Sequence, residues 1–105
     1  MATGRLAAQD MSAATLTTVY DTPAATYTVA TVSICNRGAA ASNISLAIAD
    51  AATPAAGEYI EFETSLLAKN VLERTGVVLS ATQKIVVLSS AASVSVVVVG
   101  IETAA

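Results

Sequence analysis

Tyr27-Thr-Val-Ala-Thr-Val-Ser-Ile-Cys-Asn36, Arg37-Gly-Ala-Ala-Ala-Ser-Asn-Ile-Ser-Leu-Ala-Ile-Ala49 and Glu58-Tyr-Ile-Glu-Phe-Glu63 read as strand, corner, strand, loop, strand. The middle segment carries the clearest signal. Ile44, Leu46 and Ile48 fall on one face of a strand; Asn43, Ser45, Ala47 and Ala49 fall on the other. Period-two alternation of this kind buries one face and leaves the second wet or covered by a partner. The preceding strand has mixed faces. Tyr27 and Val29 share one side, Val32 and Ile34 the other, so a bulge near Ala30 is expected to switch the inward face. Cys35 then reads as a buried, inert thiol. Gly38 suits a left-handed turn position after Asn36-Arg37. In the last strand Ile60 and Phe62 point one way, and Tyr59, Glu61 and Glu63 the other.

The rest of the chain continues the pattern. Turn residues recur at short intervals, and Thr, Ser and β-branched residues surround the Ala-rich stretches that could otherwise pass for helix. A short strand or arm is expected at 5–10, and strands at 15–20, 26–36, 43–49, 58–65, 70–78, 83–89 and 93–102. The last runs from Ser/Val alternation into Val96–Val99 with no polar gap. A strand apolar on both faces belongs at the centre of a sheet, or has its outer face covered by another subunit. Eight short strands in one domain, residues 1–105, predict an all-β fold: a two-sheet antiparallel β-sandwich with jelly-roll or immunoglobulin-like connectivity.

Composition narrows the function. The 105 residues carry a net charge of −3, with 12% charged and 54% hydrophobic residues. An acidic chain with five scattered basic residues lacks the basic stripe a nucleic-acid binder needs. The longest apolar run, Val96 to Ile101, is far short of a membrane span. No apolar segment follows Arg5 to make a secretory leader. So sparse a charge is poor protection against self-association; the Ala, Ser, Thr and Val surface reads as one to be covered by neighbours.

Reagents for chemistry are few. The chain has no His, which removes the usual general base, and a lone Cys cannot build a zinc site. Glu61 and Glu63 lie about 7 Å apart along one strand face, and Glu58 is near. They could serve as oxygen ligands or a carboxylate pair, but no Asp/Asn-rich loop supports them, so they read as a solvated face. Asn43-Ile44-Ser45 matches a glycosylation sequon, and without an export signal reads as chance. Gly38, Gly57, Gly76 and Gly100 are isolated and mark turns, bulges or close packing rather than a phosphate loop. No catalytic residue, metal ligand or cofactor is expected. Tyr20, Tyr27 and Tyr59 could stack on sugars but more commonly pack at core edges or interfaces.

Met1-Ala-Thr-Gly-Arg-Leu-Ala-Ala8, Val32-Ser-Ile-Cys-Asn-Arg-Gly38, Glu58 to Glu63 and Val71-Leu-Glu-Arg-Thr-Gly76 resemble, in this order, small virion structural proteins of tailed bacteriophages, cyanophages among them. The resemblance covers nearly the whole chain. It implies a β-sandwich that acts as a capsid cement (decoration) protein, stabilising the shell by protein–protein contacts. A tail, baseplate or fibre component touching host glycans is the alternative. Expected partners are copies of itself, as a homo-oligomer and most naturally a trimer, and the major capsid protein or another virion protein. The expected place is the virion, assembled in the bacterial cytoplasm. Residues 1–14 read as an N-terminal arm, whose removal up to residue 12 should leave the sandwich folded. Arg5, Leu6, Arg37, Tyr59 and Arg74 are the interface candidates.

Overall fold

The computed structural model describes residues 2–105. Among them eight strands form: β1 (Thr3–Asp10), β2 (Thr17–Asp21), β3 (Thr26–Asn36), β4 (Ser42–Ala49), β5 (Tyr59–Leu66), β6 (Val71–Leu79), β7 (Lys84–Ser89) and β8 (Val94–Ala104). A short 3₁₀ turn, Ala56–Glu58, precedes β5. The strands make two four-stranded antiparallel sheets, ordered β1-β8-β3-β6 and β2-β7-β4-β5. β4 and β5 are sequential neighbours in one sheet, and every other step along the chain changes sheet. This strand order is that of a jelly roll, which settles the connectivity left open by periodicity.

The core lies between the sheets. Val32, Ile34 and Val96 from the first sheet meet Ile44, Leu46 and Ile85 from the second, all fully buried. One lateral opening is narrowed where β1 lies beside β2. The other is spanned by an ion pair from Arg74 on β6 to Glu61 on β5, at 3.0 Å.

The alternation of β4 holds on its inner face. Ile44 and Leu46 are fully buried, and Ile48 packs against the core. Its outer face is not wet: Ser45, Ala47 and Ala49 are buried within the chain, as is Val86 beside them on β7. The 3₁₀ turn packs against β4. Its loop is closed by Glu58, whose carboxylate accepts bonds from the amides of Ala55 (2.8 Å) and Asp50 (3.2 Å).

Four expectations are corrected. β3 alternates without interruption, with Thr26, Thr28, Ala30, Val32, Ile34 and Asn36 inward, so Tyr27 and Val29 face out. The bulge lies on the partner strand. Between the pairs Ala30–Val77 and Val32–Arg74, β3 contributes one residue and β6 two, Thr75 and Gly76. Gly76 sits at φ +67°, the left-handed geometry that makes it the natural bulge residue. Cys35 is therefore on the outer face and only half-buried. Gly38 is absent from the left-handed region; its amide instead donates to Asn36 Oδ1 at 2.9 Å, and a Cβ there would lie 3.2 Å from Ser93 Cβ. The residues expected to form an arm are built into the fold. Residues 3–10 are the edge strand β1, paired along β8, and Met11 is a core residue 2% exposed.

Candidate interaction surface

The outer face of the β1-β8-β3-β6 sheet follows from its register, because residues directly opposite in an antiparallel pair share a face. Thr3, Ile101, Val29 and Val78 stand in one row across all four strands. Next to it lies the row Arg5, Val99, Thr31, then Ala8, Val97, Ser33, Glu73, then Asp10, Ser95, Cys35, Val71. Tyr27 flanks the first row opposite Thr103. Ile101, Val29 and Val78 are 53%, 46% and 61% exposed, and Val99 and Tyr27 are exposed beside them. An apolar row across three adjacent strands is unlike singly scattered surface hydrophobes, and contiguous patches of that kind mark contact sites.

The physical reason is the phase of β3. The positions facing the core near its start are Thr26 and Thr28, and the bulkier Tyr27 and Val29 are turned out. The buried threonine is accommodated by Tyr20, which reaches across from β2. Its hydroxyl lies 2.8 Å from Thr28 Oγ1 and donates to Glu102 Oε2 on β8. Burial first, and then the hydrogen bond with Glu102, push the Tyr20 phenol up to about 12. The same bond, followed by donation from the Ala2 amide to Oε1, holds the Glu102 carboxyl below its ordinary range. This polar bridge stabilises the β3 phase that exposes the apolar row.

Charge on this face is sparse and placed at its margins. Arg37 pairs with Asp10 at one end of the sheet. Arg5 on β1 and Glu73 on β6 have no ion-pair or side-chain hydrogen-bond partner among the described residues. They sit on opposite edge strands of the same face.

The five interface candidates do not converge. Arg5 is on this open face, opposite Val99. Leu6 is the extra residue of a β1 bulge and packs on the core. Arg37 is held by Asp10, and its carbonyl accepts from Lys69 Nζ at 2.8 Å. Arg74 spans the opening to Glu61. Tyr59 stands edge-on to Phe62 with ring centroids 5.1 Å apart. Glu61 and Glu63 do not share a face, because β5 places Phe62 and Glu63 opposite the single residue Ser45. That bulge also leaves Phe62 64% exposed while Ile60 packs on the core. Glu61 serves Arg74 and Thr64, whereas Glu63 takes a left-handed φ of +49° and lines an open groove with Asn43, Ser45 and Ser90. Among the described residues no three Cys, Asp or Glu side chains gather as metal ligands.

Sequence reading missed Tyr27 and Val29 as surface residues by assigning them to the core. The usable signal was the unbroken Val96–Val99 run. It places β8 centrally, between β1 and β3, with Val97 and Val99 facing out. No protein-family model, curated protein or solved structure matches the chain.

Proposed function

We propose that this chain is a phage virion structural protein, a capsid cement that stabilises the shell by burying surface against copies of itself and a coat protein. The observation that carries the reading is the apolar row Ile101, Val29 and Val78 on an uncovered sheet face. The centre of the other outer face, at Ser45, Ala47, Ala49 and Val86, is buried within the chain itself. A sheet face left apolar is suited to contact and brings no reagents of its own. Two further points support the virion reading: the ordered resemblance across the chain, and a jelly-roll architecture that viral capsid domains also use, which is an analogy of fold.

Copies per particle decide it. Quantitative mass spectrometry of purified phage carrying the gene is expected to find hundreds of copies, spread over the shell by labelled electron microscopy. About a dozen copies at the vertex or tail would move the protein to the neck, tail or baseplate, and none would end the reading. The groove of Asn43, Ser45, Glu63 and Ser90 favours a second reading, a tail or fibre component touching host glycans. Its polar side chains beside Leu88 suit a sugar edge, and Glu63→Ala should abolish glycan-array binding if that reading holds.

A further inference from the structure

We infer that the outer face of the β1-β8-β3-β6 sheet is a two-fold interface between copies of this chain. The inference rests on the reading that the protein works by burying surface, and it identifies the occupant of that surface as a second copy.

Symmetry and charge point to it. A two-fold interface must be self-complementary, each patch meeting its own copy. Rotation about an axis lying in the interface and parallel to the strands sets β1 of one copy over β6 of the other. The row Thr3, Ile101, Val29, Val78 then lies over itself, reversed, so that Ile101 of each copy meets Val29 of its mate. The same rotation brings Arg5 of each copy to the edge that carries Glu73 of its mate. Their rows are separated by two residues, about 7 Å along a strand, within reach of two extended side chains across the gap. Neither has a partner within its own chain among the described residues. Both ion pairs would form at the rim, where they set register and orientation. The alternative in-plane axis, across the strands, would stack β1 on β1 and bring like charges to the same edge.

Size and shape agree. Four strands of about eight residues, at about 4.8 Å between strands and 3.3 Å per residue, project roughly 500 Å². A corrugated face has more accessible area than its projection, approaching the roughly 600 Å² per partner at which stable specific interfaces begin. The rotation keeps strand directions nearly aligned, the ordinary geometry of face-packed sheets. Association by edge pairing is disfavoured, because both edges of this sheet are broken by bulges, at Leu6 on β1 and at Thr75-Gly76 on β6.

Sedimentation equilibrium of the purified chain over a wide concentration range tests this directly. A reversible monomer–dimer equilibrium is expected, with a dimer of twice 10.5 kDa. Val29→Glu should give a folded monomer that melts cooperatively, with a melting temperature independent of concentration, and Val78→Lys, on the edge strand, serves should the first variant not fold. Arg5→Glu and Glu73→Arg should each weaken the dimer about tenfold, and the double reversal should restore it. A wild-type monomer, a trimer, a dimer indifferent to Val29→Glu, or a double reversal no better than the singles overturns the inference. Copies per particle remain an independent readout: a dimer absent from virions ends the cement reading and leaves this interface standing.

Discussion

Tyr20 joins the two sheets through a polar bridge at the edge of the apolar core. Tyr20→Phe leaves the fully buried Thr28 hydroxyl without this partner and Glu102 with the Ala2 amide as its remaining donor, and should cost about 1–2 kcal/mol in urea unfolding. The bridge also carries a pH signature. The Tyr20 phenol is raised in the folded state, so its stabilisation is complete below pH 10 and is lost as pH climbs to about 12. Glu102 is lowered, so its contribution is present above the ordinary glutamate range and is lost as pH falls through its folded-state value. Glu102→Gln should therefore flatten the acid side of a stability–pH curve, and an unaltered acid limb would refute the linkage. Thr22 presents the opposite case. Its hydroxyl is buried without a hydrogen-bond partner among the described residues, so Thr22→Val should be neutral or stabilise by about 1 kcal/mol, read as a shifted urea midpoint. Gly100 is dictated by close approach. A Cβ there would lie 2.2 Å from the Val29 carbonyl oxygen and 2.8 Å from Ala30 Cα. Gly100→Ala should destabilise by about 3 kcal/mol, since backbone on a central strand cannot move aside cheaply.

At the scale of the element, the edge strands decide how the module meets its surroundings. β1 is held along β8, the amide of Met11 donates to Val94 O at 2.9 Å, and the Met11 side chain fills the core. Removing residues 1–12 therefore strips an edge strand and a core side chain together. The truncated chain should lose at least about 3 kcal/mol, because deletion of a buried Met side chain alone costs 2–5. It should also aggregate through the bared edge of β8. A truncated chain melting at the wild-type temperature would restore the reading of this segment as a dispensable arm. β5 shows how much two bulges change. Its irregular pairing with β4 separates Glu61 from Glu63 and turns Phe62 out while Ile60 stays in. A pair of carboxylates that looks like one site in sequence thus becomes an inter-sheet ion pair and a groove wall.

For the whole molecule, the two outer faces are unequal. One is buried at its centre by the chain itself, and the other displays an apolar row. Replacing Val29, Val78 and Ile101 together by Thr keeps β-branched residues on exposed strand positions, where propensity is retained and little burial is lost. The triple variant should melt within about 4 °C of wild type, a shift of about 1 kcal/mol or less in a domain of this size. It should also bind a hydrophobic dye more weakly and stay soluble at higher concentration. A large fall in melting temperature would mean that the row supports the fold rather than contact. The Asp10–Arg37 ion pair is exposed and the Asp21–Lys84 pair is open to solvent on its Asp21 side, so both contribute little to stability, and association and not folding is where salt should act most strongly.

The sequence by itself determined that the chain is all-β, where its eight strands fall to within two residues at each end, and which face of β4 meets the core. Period-two alternation and turn chemistry are local, so they can be read from neighbours along the chain. The absence of His is likewise a matter of composition. The tertiary structure alone decided the jelly-roll order, the phase of β3 and the location of the bulges. Alternation states that two faces differ but not which one meets the core when both carry apolar residues, as Tyr27, Val29, Val32 and Ile34 do. A bulge is a mismatch between two strands, and β3 and β6 are brought together only by the fold. For that reason the apolar row of Ile101, Val29 and Val78, drawn from three strands far apart in sequence, existed nowhere in the chain until the sheet assembled it.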